Sequence, residues 1–397
     1  MTLVLLAAAL TTLTGCWNYQ EVENRYIVSG LAIDKGQQGH RYRLTFEVLD
    51  ISASGQDGQM KSKVIQADGN SIAEAVDSAS KLSDKNLFYS DCKIVVFSKQ
   101  IAQEGLTQVL DWFNRDPKPR FTVQMFVSSE KTAGELFQAG GQQGGQQGGQ
   151  GSGQQGGEGG QGGGGTQGSV ISTQISNSME AVSTGGKSKQ MHLYDVDNVL
   201  LGEGKDLALP CLQKTKQKNP LVEVKGTAVF RGDKYAGFLN DDQTRYYLLM
   251  TGAQNTIMLV GENPSKEDIA LQIIRNKVSI TPQITGDKVS IMVKVKMECA
   301  FDEENSPQNI LLNLGVKKVE GFAGKTLQEN IGGQIRQVQK QLGCDIFGFG
   351  RRIYQENPKE WKKLKPTWQQ KFRTVSVEVE PDVTIVNTEF LRPKGTT

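Results

Sequence analysis

Between Gly140 and Gly168 the chain runs for 29 residues built from 17 Gly and 9 Gln. No other stretch limits the possible folds as strongly. Such a segment has almost no apolar surface to bury and the most backbone freedom to lose, so it cannot join a packed core. It reads as a flexible loop or linker. Outside it, Gly falls to an ordinary share of the 397 residues. The rest is therefore a folded chain with one low-complexity insertion, long enough for two or three domains. Within the tract, Gly151-Ser-Gly153-Gln-Gln-Gly156 has the spacing of a dinucleotide fingerprint. With no strand before it and no helix after it, that match is an accident of composition.

Residues 1–15 carry no charged side chain, and the apolar run Leu3–Leu10 is too short to span a bilayer. It has the length of the apolar region of a signal peptide. It ends in Leu13-Thr14-Gly15-Cys16, which resembles the bacterial lipobox. Small residues there suit the processing peptidase, and the Cys16 thiol accepts the lipid. No Lys or Arg precedes the apolar run; a start upstream of Met1 and a trimmed leader are the two readings. Several acyl chains on one Cys hold a protein stably on a membrane. The mature chain would then be exported and tethered without spanning.

Residues 26–33 form an apolar run of strand length, and Tyr42, Leu44, Phe46 and Val48 alternate with Arg41, Arg43, Thr45 and Glu47. This pattern predicts a half-buried strand with its polar face in water, paired through the turn 35–39. Ser71 and Glu74 form a capping box opening a helix with Ile72, Val76, Ala79 and Leu82 on one face. Residues 93–97 read as a buried strand, Leu106 to Phe113 as a second amphipathic helix, and 121–127 as another strand. The order is β-β-α-β-α-β. Apolar periodicity resumes at Val170, Ile171, Ile175, Met179 and Val182, so the tract interrupts a domain.

Residues 221–240 read as a hairpin turning at Gly232-Asp233, with Asp241 or Asp242 capping the helix that follows. Beyond Ser265 and Asp268, strands are predicted over 272–281 and 287–298, then a long helix with Leu327, Ile331, Ile335, Val338 and Leu342 in one stripe, and a closing strand over 374–379. The fold class is α+β: three mixed domains on an N-terminal lipid anchor. Their expected limits are a signal peptide over 1–15, an N-terminal domain over 16–200 interrupted by 140–168, a middle domain over 201–262 and a C-terminal domain over 263–393.

The chemistry-bearing motifs are sparse. The net charge of +2 speaks against nucleic acid, as does export. The two His, His40 and His192, have no second ligand at metal spacing, and Cys92, Cys211, Cys299 and Cys344 form no CxxC. They read as small buried residues. No nucleophile–base motif is visible, so no catalytic residue, metal or cofactor is assigned. Carboxylate-only glycosidase chemistry stays open, because its two acids need not be near in sequence. Residues 351–373 hold eight Lys and Arg against Glu356 and Glu360. Within them Trp361, Lys362, Lys363, Lys365 and Trp368 are candidates for contact with anionic lipid or an acidic partner. The competing reading packs the Trp face into its own domain.

Several stretches together resemble one family. They are Gly15-Cys16-Trp17 with Glu21, Ile27 to Asp34, Asp111-Trp-Phe-Asn-Arg-Asp-Pro117, Gly226 to Lys234 with Thr244-Arg245, Asp345-Ile-Phe-Gly-Phe-Gly350, and Pro358-Lys-Glu-Trp361. This set resembles the Ger(x)C-type lipoproteins, the C subunits of nutrient germinant receptors in endospore-forming bacteria. The resemblance implies three α+β domains on a lipid anchor, at the outer face of the spore inner membrane. It implies multi-spanning A and B subunits as partners, and no catalytic residues. A secreted solute-binding lipoprotein that captures a nutrient directly is the alternative. A cell-wall hydrolase with a carboxylate pair is a third reading.

Overall fold

The computed structural model describes residues 24–50, 62–116, 118–138, 170–253, 257–261, 268–286, 288–304 and 315–387. The lipobox with Cys16 and the Gly140–Gly168 tract lie outside the described residues.

The first half builds β1 (Arg25–Lys35), β2 (Tyr42–Asp50), β3 (Ser62–Gly69), α1 (Ile72–Leu82), β4 (Asn86–Phe88), β5 (Ile94–Phe97), α2 (Lys99–Glu104), α3 (Thr107–Arg115), β6 (Gln124–Ser128) and α4 (Glu135–Gln138). After the tract come α5 (Ile171–Thr184), α6 (Leu193–Leu200), β7 (Ala208–Lys214), β8 (Val222–Arg231), β9 (Lys234–Leu239) and α7 (Asp241–Met250). The strands form one sheet in the order β3-β2-β1-β5-β6-β7-β8-β9, with β4 also paired to β1. It runs unbroken across residues 200 and 201. β1, β5, β6 and β7 are parallel neighbours. Parallel strands are covered on both faces and read as continuous apolar runs, which is why Ile94-Val-Val-Phe97 has no polar position. Val95 and Phe97 face a core with Ala75, Ala79, Val109 and Phe113. Ile94 and Val96 face Leu136, Phe137, Ile171 and Met179. The helices on either side of the tract thus share one layer.

This half departs from the expected pattern in its elements, in the burial of one strand face and in one helix cap. β3, β4, α2, α6 and β7 lie outside the expected order: β3 is an edge strand with Lys63 and Val64 exposed, and α2 is six residues long. Thr45 and Glu47, expected on a wet face, are 0% and 1% exposed, because α4 and α5 cover that face. The cap of α7 is Asn240, whose Oδ1 accepts the Gln243 N–H at 2.9 Å while Gln243 Oε1 accepts the Asn240 N–H at 2.9 Å. Asp241 and Asp242 occupy the first turn instead.

The second half builds β10 (Ile257–Gly261), β11 (Asp268–Thr285), β12 (Lys288–Glu304), α8 (Val316–Gln337), a π turn (Val338–Leu342), α9 (Phe349–Glu356), α10 (Pro358–Leu364), α11 (Trp368–Phe372) and β13 (Ser376–Asn387). Its sheet has the order β10-β11-β12-β13, with the last pair parallel through the helical crossover. One face of β12, with Ile291, Val293, Val295, Met297 and Cys299, packs on Val319, Ala323, Leu327, Ile331 and Ile335 of α8. Each Ile, Val, Leu or Met among these contributes about 1.5–3 kcal/mol when taken from water. The other face carries Lys294 and Lys296, which lie 3.0 Å from Glu380 and 4.0 Å from Asp382, so the alternation read from the sequence is a dry and a wet side. Ala208, Val229, Leu239 and Tyr247 join this second core, which ties the two sheets together. The α+β class stands.

Candidate functional site

The polar groups of the two halves meet where the segment 202–206 and the β8–β9 turn face residues 342–373. At the centre is Asp345, 3% exposed. Its Oδ1 accepts the N–H groups of Gly348 and Phe349 at 2.8 and 3.0 Å. Its Oδ2 accepts the Gly350 N–H at 2.7 Å and the Trp368 indole N–H at 3.0 Å. The carboxylate thus holds the start of α9 and the start of α11 together. Burial pushes it up to about 6, against these donors.

Asp206 approaches from the first half. Its Oδ2 accepts the Asp345 N–H at 2.6 Å, and its Oδ1 the Gly232 N–H at 3.1 Å. Its own N–H donates to the Asp345 carbonyl at 2.9 Å. Burial raises its carboxyl as well. Two residues before it, the Gly204 carbonyl accepts the Arg351 N–H at 2.6 Å. Gly204 sits at φ +68, and a Cβ there would lie 2.3 Å from the Gly350 carbonyl carbon, so no other residue fits this approach. Glu203 accepts the Trp361 indole N–H at 2.9 Å and the Lys365 ammonium at 2.6 Å. Those two donors hold its carboxyl below the usual range. Arg231 donates to the Leu342 carbonyl at 2.7 Å, at the end of the π turn.

The two tryptophans close this region. Their rings are 5.7 Å apart, edge to face, and both pack on Gly350. A Cβ on Gly350 would lie 2.6 Å from Trp368 Nε1 and 2.8 Å from the Trp361 ring. A cavity of about 290 Å3 remains between Glu203, Arg231, Trp361 and Trp368.

The sequence-derived candidates therefore separate. Trp361 and Trp368 are 4% and 6% exposed, and their packing inside the chain replaces the lipid or partner contact considered for them. An amphipathic helix reports which face is apolar and not what covers it. Lys362 and Lys363 are exposed on the opposite side of α10, with Lys363 2.7 Å from Glu360. Lys365 is tied to Glu203. Leu13, Thr14, Gly15 and Cys16 lie outside the described residues. The four other cysteines are buried and free. Among the described residues no group of three or more His, Cys, Asp or Glu could hold a metal ion, and no helix is long and apolar enough to cross a membrane. Glu203, Lys205 and Asp206 went unremarked in the sequence. The signal was the close spacing of glycines and acids in Gly202-Glu-Gly-Lys-Asp206, matched by Asp345-x-x-Gly-x-Gly350.

Comparison with known proteins places these features in a family setting. Residues 18–150 match the family described as "Spore germination protein N-terminal domain". Residues 225–389 match "Spore germination B3/GerAC like, C-terminal". Spore germination protein KC of Bacillus subtilis (strain 168) is 24% identical over 383 residues, covering 93% of this chain and 90% of that protein. Spore germination protein B3 of the same organism is 21% identical, with 95% of both chains covered. Spore germination protein GerQC of Bacillus cereus is 20% identical, with 94% of both covered. Among solved structures, the crystal structure of the GerBC protein superposes with a TM-score of 0.51 at 18% identity, over 90% of this chain and 97% of that one. This last likeness is one of fold.

Proposed function

Because the chain belongs to the Ger(x)C family of spore germination proteins, we propose that it is the lipid-anchored C subunit of a nutrient germinant receptor. It acts with multi-spanning A and B subunits at the outer face of the spore inner membrane, and it catalyses no reaction itself. The observation that carries this reading is the pair of family matches, in order, across residues 18–150 and 225–389. The leader ending in Leu13-Thr14-Gly15-Cys16 supplies the anchor. The junction around Asp206 and Asp345 sets the relative placement of the two sheets, so that a partner meets one fixed surface. Lys362 and Lys363, exposed beside the junction, remain candidates for that contact.

The anchor is tested by labelling sporulating cells with radioactive palmitate. Wild type is expected to take up label and Cys16→Ala to lose it; equal label in both contradicts the anchor. The receptor assignment is tested by isolating the chain from solubilised spore membranes with its partners.

A further inference from the structure

The segment 202–206 separates two cavities. One lies under Trp361 and Trp368. The other, of about 200 Å3, lies on the far side, between α6, α7 and the start of α9. Its charged lining holds three cations, Lys189, Lys205 and Arg351, and two acids, Asp195 and Asp206. The two acids in its wall are already satisfied. Asp195 accepts the His192 N–H at 3.0 Å and sits 3.2 Å from the His192 ring. Asp206 accepts from Gly232 and Asp345.

The two lysines in the same wall have no side-chain acceptor among the described residues. Among the described residues, the Lys205 ammonium makes no hydrogen bond or ion pair, and neither does Lys189. Tyr247 lines the same wall and is only 3% exposed. Arg351 lines the same cavity and uses one N–H on the Asn198 carbonyl at 2.8 Å. Burial pushes Lys205 down to about 8, with Lys189 and Arg351 adding to the effect and Asp345 opposing it. Like charges gathered in a partly desolvated cavity repel unless an anion enters between them.

We propose that this cavity binds a small oxyanion, a phosphate or carboxylate group, between Lys189, Lys205 and Arg351, with the Tyr247 hydroxyl as a further donor. Arg351 offers a planar fork suited to two oxygens, and the lysines offer point charges. The volume is below that of most drug-sized ligand sites, which restricts the ligand to a small molecule or a single head group. Lys189 and Lys205 come from the first half of the chain, Tyr247 and Arg351 from elements packed on the second core. A bound anion therefore braces the junction.

The test titrates the purified full chain, at constant ionic strength, with inorganic phosphate and separately with succinate, reading heat and thermal midpoint. Phosphatidylglycerol vesicles form a third arm that distinguishes a lipid head group from a free anion. Saturable binding of phosphate or succinate is expected, weakened about tenfold by Lys205→Met and about fivefold by Lys189→Gln. Lys362→Gln on the outer side of α10 is expected to bind as wild type. Lys189 is exposed, so Lys189→Gln decides the matter even where Lys205→Met does not fold. No saturable binding to either anion, binding to vesicles alone, or unchanged affinity in Lys189→Gln overturns the proposal.

Discussion

Asp206 and Asp345, far apart in the chain, hold each other by one side-chain and one backbone contact. The Asp345 N–H donates to Asp206 Oδ2 at 2.6 Å, and the Asp206 N–H donates to the Asp345 carbonyl at 2.9 Å. Both contacts join the segment before β7 to the segment before α9. Asp345 then passes the constraint on to α9 and to Trp368.

Asp345→Ala leaves three backbone N–H groups and an indole N–H without their acceptor. Unpaired buried donors cost about 1–3 kcal/mol each, in part relieved by water. A loss of roughly 3–5 kcal/mol in urea unfolding is expected; a loss below about 1 kcal/mol contradicts this role.

Gly350→Ala is expected to destabilise by about 1–3 kcal/mol through overpacking against the two tryptophans. Trp361 and Trp368 report it directly, as a shift in emission wavelength. An unchanged spectrum with unchanged stability shows that the rings yield freely.

The pH dependence of this site has a definite sign. The Asp345 carboxyl titrates near 6 in the folded chain, against an ordinary 3.8. Between those values the folded state holds more protons, so this group adds stability as pH falls from 7 toward 4. Asp68, Glu135, Glu203 and Glu320 are lowered and act in the opposite direction, so the informative quantity is a difference. Wild type is expected to gain on the order of 2–3 kcal/mol relative to Asp345→Asn over that range. A difference that stays constant with pH excludes a shifted Asp345.

How much of this was legible in the sequence depended on distance along the chain. Ser71 and Glu74 act within one turn, and the cap is present: Ser71 Oγ accepts the Glu74 N–H at 3.1 Å. Glu74 reaches back one residue further than expected, to the Asn70 N–H at 2.9 Å. The stripe of α8 was equally plain, because helical period and burial agree there. Asp34 and Glu47 were not legible. Asp34 accepts from Ala133 and Gly134 at 2.6 and 2.9 Å, and Glu47 from Ile171 and Ser172 at 2.8 and 2.7 Å. The segments that bury them lie about a hundred residues away. Period two identifies two faces of a strand and does not reveal a second layer. The same limit applied to Trp361 and Trp368.

Those two acids lead to a prediction about the insertion. They hold the chain on both sides of the Gly140–Gly168 tract to adjacent strands. Loop length adds only logarithmically to the entropy of closure. Deleting residues 140–168 is therefore expected to preserve soluble expression and to shift the thermal midpoint by no more than about 3 °C. Glu47→Ala is expected to speed amide exchange at Ile171 and Ser172. Loss of expression on deletion, or unchanged exchange in Glu47→Ala, contradicts the anchoring.

The proposed membership of a membrane receptor is tested most directly by affinity isolation of the tagged chain from detergent-solubilised spore inner membranes. Mass spectrometry is expected to find two multi-spanning membrane proteins in stoichiometric amounts, both lost from the membrane-bound complex in Cys16→Ala. Recovery of the chain from those membranes with no multi-spanning partner contradicts the account.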